Sequence, residues 1–301
     1  MSSPRHFLDV TDLDAGELAS VLDLAEAPQL PAVLAGKGAA LIFEKPSNRT
    51  RHSTEMAVVQ LGGHPIYTRG EEVGFDVREP VEDVTRILAG YHALICARVF
   101  DHRTLVRMAA VSTAPVANLL SDRSHPMQAL ADVLTMRQLL GPLDGRTVAW
   151  VGDWNNVSRS LAQASAMLGM HVRLACPEGY GPPSADLEAV EALGAPSVAW
   201  YTAPDDAVKG AHAVHTDVWT SMGQETERQA RLAAFRSYTV TEELMQHAAA
   251  EAVFLHCMPA HRGEEVSAAV MDGPRSHAIL QGHNRMHAAR GLFAFLLGVR
   301  P

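Results

Sequence analysis

Residues 39–63 read AALIFEKPSNRTRHSTEMAVVQLGG. The five apolar residues Ala39–Phe43 have the length and composition of a buried strand. After the turn Glu44-Lys45-Pro46, a helical pattern opens at Ser47 and stops at Gly62-Gly63, two glycines suited to a helix C-terminus. A strand that runs straight into a helix is the building unit of a parallel sheet. At such a junction free backbone N–H groups and the positive end of the helix dipole face outward, which suits an anion. Ser47 and Thr50 add hydroxyls, and Arg49 can pair bidentately with phosphate oxygens. Ser47 also reads as an ordinary N-cap before a solvated basic turn. Against that plainer reading, Arg49 and Arg51 are cations in a first helical turn, where they oppose the dipole unless an anion is bound.

The same alternation continues along the chain. Pro65–Thr68, Ala93–Ala97 and Pro115–Ala117 read as further strands of a first series, and Thr147–Val151, Val172–Cys176, Val198–Tyr201, Ala213–Thr216 and Ala252–His256 as a second. Helical periodicity over Gln128–Leu140 joins the two, and a last helical pattern, Met286–Leu297, follows Gly282-His283-Asn284-Arg285. The fold class is α/β with two domains, each a parallel sheet flanked by helices and doubly wound. A chain of 301 residues with 47% apolar composition can form two cores of ordinary size. A net charge of −9 gives no electrostatic footprint for nucleic acid or an anionic membrane, so an anionic ligand must be held by a few placed arginines. The N-terminal MSSPRHFLDVTDLD has no apolar signal region, and the late run LFAFLLGV is too short to span a bilayer; a cytoplasmic protein is expected. Three cysteines, Cys96, Cys176 and Cys257, fit a reducing compartment better than a disulfide framework.

Several polar residues stand where these strands end. Arg98 closes Ala93–Ala97, and His125 and Gln128 are three apart on one face of a helix start, a trio able to donate hydrogen bonds to a carbonyl oxygen and a neighbouring amide. His125-Pro126 alone also reads as a turn. Gly152-Asp153-Trp154-Asn155-Asn156 follows the first strand of the second series, where a dinucleotide-binding protein would carry a glycine-rich turn; Trp154 and Asn156 are poorly suited to that. Asp217 opens the string DVWTSMG and is either a helix cap or a substrate carboxylate. Cys257, after Ala252–His256, can be a nucleophile, a metal ligand or a polar contact. His256, Cys257 and His261 lack the fourth ligand and paired spacing of a structural zinc site, and no metal is expected.

Taken together, SNRTR at 47–51, HPMQ at 125–128, DVWTSMG at 217–223 and HCMP at 256–259 resemble the ornithine carbamoyltransferases, over nearly the whole chain from Arg5 to the last helix. The resemblance implies carbamoyl transfer from carbamoyl phosphate to the δ-amine of L-ornithine, with no cofactor, in a cytoplasmic homotrimer of arginine biosynthesis or of the reverse, catabolic arm. It implies a carbamoyl phosphate-binding domain over 1–133, with 280–301 packing back on it, and an ornithine-binding domain over 134–279. Carbamoyl phosphate would meet Ser47, Asn48, Arg49, Thr50, Arg98, His125, Gln128, Cys257, Met258 and Arg285; ornithine would meet Asn156, Asp217, Ser221 and Met222. Arg98, His125, Asp217 and Cys257 are the catalytic group so implied. Asn48, Trp154 and Met258 replace the Thr, Gly and Leu usual in the family. The loop Thr68–Pro80 lacks the family glutamine that reaches a neighbouring subunit. Another amine acceptor, such as putrescine, N-acylornithine or aspartate, and a non-catalytic Rossmann-like binding protein are the competing readings.

Overall fold

The computed structural model describes residues 4–220 and 225–301. It divides into two compact units, the chain up to Ala131 together with His283–Pro301, and Asp132–Gly282. The first holds a four-stranded parallel sheet of β1 (Gly38–Phe43), β2 (His64–Arg69), β3 (His92–Arg98) and β4 (Val116–Leu120), in the order β2-β1-β3-β4. The second holds β5 (Thr147–Val151), β6 (His171–Ala175), β7 (Val198–Tyr201), β8 (Ala213–Thr216) and β9 (Val253–His256), all parallel, in the order β7-β6-β5-β8-β9. Burial explains the composition of the strands. Ala39 to Phe43 of β1 and all of β5 and β8 are covered on both faces; β1 reads as an unbroken apolar run and β5 as one after Thr147, while β8 buries His215 and Thr216. The edge strands β2 and β7 are only partly covered, and β2 mixes polar with apolar residues.

Both sheets reverse their winding at the strand first laid down. In the first unit the reversal lies between β1 and β3, and in the second between β5 and β8. Ligands of open α/β sheets bind outside the carboxyl ends of the strands at such points. Register makes the placement specific: Phe43 pairs with Arg98, and Thr216 with His256, so the residues that follow leave the sheet side by side.

The strands lie where the apolar runs place them, with one shift of reading at β4. Pro115 has no N–H to offer; it contributes only its carbonyl, which accepts from Ile95 at 2.9 Å, and the strand proper runs on to Leu120. The helix Asn48–Gln60 is capped by Ser47 and closed by Gly62, whose φ of +81° is left-handed, while Gly63 N–H returns to Val58 at 3.0 Å. The last helix differs from its sequence reading. It spans Ala278–Leu296, eight residues earlier than Met286, and takes in Gly282 to Arg285. The reason is that its early turns bury polar side chains, Gln281, Asn284 and Arg285, which an apolar periodicity cannot register. Further along, a Cβ on Gly291 would sit 2.6 Å from the backbone of Val21 and Ala25, so only glycine lets this helix approach Ala15–Glu26 so closely. Among the described residues no helix is long and apolar enough to cross a membrane.

Candidate active site

In the first unit the sequence-selected residues come together. Ser47 accepts from Thr50 N–H at 3.4 Å, the N-cap role, and its hydroxyl donates to Thr50 Oγ1 at 3.0 Å. Arg285, from the last helix, donates through Nη2 to the same Thr50 oxygen at 2.9 Å and through Nη1 to Gln128 Oε1. With both lone pairs of Thr50 Oγ1 used, the remaining hydroxyl proton is available only as a donor. One guanidinium therefore ties the start of the Asn48–Gln60 helix to the start of the Pro126–Leu140 helix, across 235 and 157 residues of sequence. Arg98, His125, Gln128 and Arg285 are all buried; Arg49 is half-buried and Asn48 exposed.

This cluster is rich in positive charge. Burial holds the His125 imidazole well below its usual range, and Arg285, Arg98 and Arg49 push in the same direction. The ring is neutral at physiological pH and can donate one N–H or accept at the other nitrogen. Lys45 is likewise lowered, by burial and then by Arg98. Arg51, the second arginine of the helix start, is engaged elsewhere: it pairs with Glu55 at 2.9 Å and lies 3.8 Å over the Tyr67 ring. Arg49 is the sequence's candidate for the anion at this helix start.

In the second unit the β5 turn is closed rather than cradle-shaped. Trp154 N–H donates to Tyr180 O at 2.9 Å, and its indole N–H to Asp186 at 2.9 Å, filling the position that a dinucleotide turn leaves open. The two asparagines divide the work at the start of the Asn156–Met167 helix. Asn155 is the cap, accepting from Val157 and Ser158 N–H groups at 2.9 and 3.1 Å, and Asn156 begins the first turn.

Asp217 and Cys257 follow the paired residues Thr216 and His256, and the Cys257 thiol donates to Asp217 Oδ1 at 2.8 Å. The adjacent His256 is fully buried; its Nδ1 accepts Met258 N–H at 2.8 Å, and its Nε2 faces Glu265 Oε1 at 3.1 Å. The first contact makes Nδ1 the acceptor, so Nε2 carries the proton and donates to the carboxylate. Met258 takes a left-handed φ of +58°, a conformation that costs a non-glycine residue about 1–3 kcal/mol. Asp217, His256 and Cys257 bring thiol, carboxylate and imidazole ligand atoms within 4.8 Å of one another. Both imidazole nitrogens are already committed, so the set offers a cation the thiol and the carboxylate.

Ser221 and Met222, expected at the amino-acid side, lie outside the described residues. Sequence reading missed Arg231 and Glu265. Arg231, on the helix Arg228–Phe235, donates through Nη1 to Asp153 at 2.7 Å and to Trp219 O at 3.1 Å, and its Nε pairs with Glu227 at 2.9 Å. It joins the β5 turn to the segment that follows Asp217. Burial raises Asp153 against the opposing pull of this arginine. The only signal in the sequence is an arginine inside an otherwise apolar helical face, ARLAAF at 230–235.

Comparison with known proteins bears on the whole chain. Residues 5–138 match the carbamoyl-P binding domain of aspartate/ornithine carbamoyltransferase, and residues 144–296 match its Asp/Orn binding domain. An ornithine carbamoyltransferase of Thermus thermophilus is 45% identical over 99% of this chain and 98% of its own. One of Acidothermus cellulolyticus is 45% identical over 97% of this chain and 96% of its own. Among solved structures, the ornithine carbamoyltransferase of Pyrococcus furiosus superposes with a TM-score of 0.93 at 40% identity, covering 99% of each chain. The chain belongs to the aspartate/ornithine carbamoyltransferase family.

Proposed function

We propose that this protein transfers the carbamoyl group of carbamoyl phosphate to the δ-amine of L-ornithine, giving L-citrulline and phosphate. The observation that carries this reading is the cluster in the first unit, where Arg285 ties Thr50 to Gln128 and His125 stays neutral among three arginines. Three cations and a helix start suit a phosphate dianion, and a neutral imidazole suits the carbonyl beside it. Arg49, with Ser47, Asn48 and Thr50, holds the phosphate; Arg98, His125 and Gln128 hold the carbamoyl oxygen and amide; Arg285 serves both. On the amino-acid side Asn156 takes the α-carboxylate end of ornithine and Asp217 and Cys257 orient the δ-amine, while the Met258 backbone meets the carbamoyl group. The lone pair of the deprotonated δ-amine forms the new C–N bond, the C–O bond to phosphate breaks, and the departing phosphate takes up the proton that the nitrogen sheds. Holding the two reactants in line supplies on the order of 7–11 kcal/mol in well-oriented reactions. No covalent enzyme intermediate is needed.

We place the reaction in arginine biosynthesis in the cytoplasm; the three cysteines are free thiols, in keeping with a reducing compartment. A homotrimer is the proposed assembly. The first unit leaves Met56 and Val59 exposed on the Asn48–Gln60 helix and Ile66 on the edge strand β2, an unpaired edge that a second copy would cover.

A citrulline assay over a panel of amines decides the acceptor. Ornithine is expected to exceed aspartate, putrescine and N-acetylornithine in kcat/KM, and a higher value for any of those three overturns the assignment. In sedimentation the active species is expected at three times 32.4 kDa; an active monomer sinks the trimer. The ring carbon shift of His125, identified by its loss in His125→Gln, is expected to stay flat from about pH 8 to about pH 6. A lowered pKa means that the folded protein resists a proton the unfolded chain takes up, so this residue disfavours the fold as pH drops below 6.5. A titration centred at the ordinary histidine value contradicts the neutral ring. Cys257→Ser is expected to keep measurable turnover, with the KM for ornithine raised. Ping-pong kinetics, or a carbamoylated Cys257 trapped without ornithine, would instead make the thiol a nucleophile.

A further inference from the structure

Strand β9 is the outer strand of its sheet, so the N–H groups on its free side have no neighbouring strand to meet. Phe254 N–H finds the backbone carbonyl of Arg275 at 2.7 Å. The next N–H on that side, His256, is met by a side chain: Gln281 Oε1 accepts it at 2.9 Å. This fixes which way the amide points, since a flipped amide would set NH2 against N–H. The Gln281 NH2 therefore faces two acceptors, Asp132 Oδ1 at 2.6 Å and His215 Nε2 at 3.0 Å. His215 accepts there and donates through Nδ1 to Thr216 O at 3.1 Å, with its ring stacked on Trp150 at a centroid distance of 5.2 Å. Gln281, Asp132, His215 and His256 are each 0% exposed.

One carboxamide thus bridges the ends of β8 and β9. His215 lies two residues before Asp217, and His256 immediately before Cys257. We propose that Gln281 is a positioning residue for the amino-acid side of the reaction: its amide fixes the ends of β8 and β9 and so sets the Asp217–Cys257 pair that orients the acceptor amine. This rests on the function proposed above. The wild-type ornithine assay tests that function alone, and the variants below test only the role of Gln281.

Gln281→Met keeps length and volume and removes both donor and acceptor. It is expected to raise the KM for ornithine about tenfold, the scale of one buried hydrogen bond, and to leave the KM for carbamoyl phosphate within about twofold. Alkylation of Cys257 by iodoacetamide, with Cys96 and Cys176 buried, is expected to change rate in the same variant. Gln281→Glu retains an oxygen for His256 N–H, and beside Asp132 its carboxyl holds a proton to donate, so ornithine affinity should return to within about threefold of wild type. An unchanged ornithine KM in folded Gln281→Met, or an equal loss for both substrates that Gln281→Glu does not relieve, overturns the proposal. If Gln281→Met does not fold, Gln281→Glu decides: near-wild-type ornithine KM supports the role, and an equal loss for both substrates removes it.

Discussion

Parallel strand pairing is the constraint on which both residue clusters depend. In a parallel sheet all carboxyl ends emerge on one side, and the register decides which departing residues become neighbours. Phe43 opposite Arg98 brings the SNRTR turn beside the buried end of β3, and Thr216 opposite His256 brings Asp217 beside Cys257. Neither meeting needs a special loop. A slip of one residue in β9 would turn Cys257 to the other face and separate the thiol from the carboxylate it now meets at 2.8 Å. The apolar cores fix the register because β1, β3, β5 and β8 are covered on both faces over most or all of their length.

Electrostatics gives the first unit its character. Burying several arginines is unfavourable unless their hydrogen bonds are satisfied, and Arg285 donates to a hydroxyl and to an amide oxygen. These two bonds are to neutral groups, which leave the guanidinium its positive charge. Burial holds His125 neutral, and the arginine charges act in the same direction. Arg51 shows the contrast within one helical turn: it is neutralised by Glu55 and stacked on Tyr67, and it is the arginine whose role ends with the fold.

What the sequence made legible follows from where the information sits. Strand positions were readable because burial on both faces writes a largely apolar run, as in Thr147–Val151, whose bounds the structure leaves unchanged. The capping role of Ser47 was readable because it is local, a hydroxyl three residues from the N–H it meets. The motif residues were readable through family resemblance, and the distances now gather Thr50, Gln128 and Arg285 in one unit and Asp217 and Cys257 in the other. The start of the last helix was not, because Gln281, Asn284 and Arg285 break the apolar period while facing inward. Arg231 was hidden for the same reason: its value lies in Asp153, 78 positions away.

Buried polar side chains in this protein therefore divide by the sequence distance over which they act. Those that act locally, such as Asn155 at its helix start, stabilise one element and can be inferred from neighbouring residues. Those that act over long range, such as Gln281 with Asp132 and His215, connect elements that each carry part of the chemistry, and only the folded structure displays them. A desolvated polar group without its partners costs about 1–3 kcal/mol, so the hydrogen bonds of such a network support one another. The arrangement is consequently cooperative: removing one amide disturbs a backbone N–H, an imidazole and a carboxylate at once. That cooperativity is what lets a side chain with no place in the motifs govern the geometry of residues that have one.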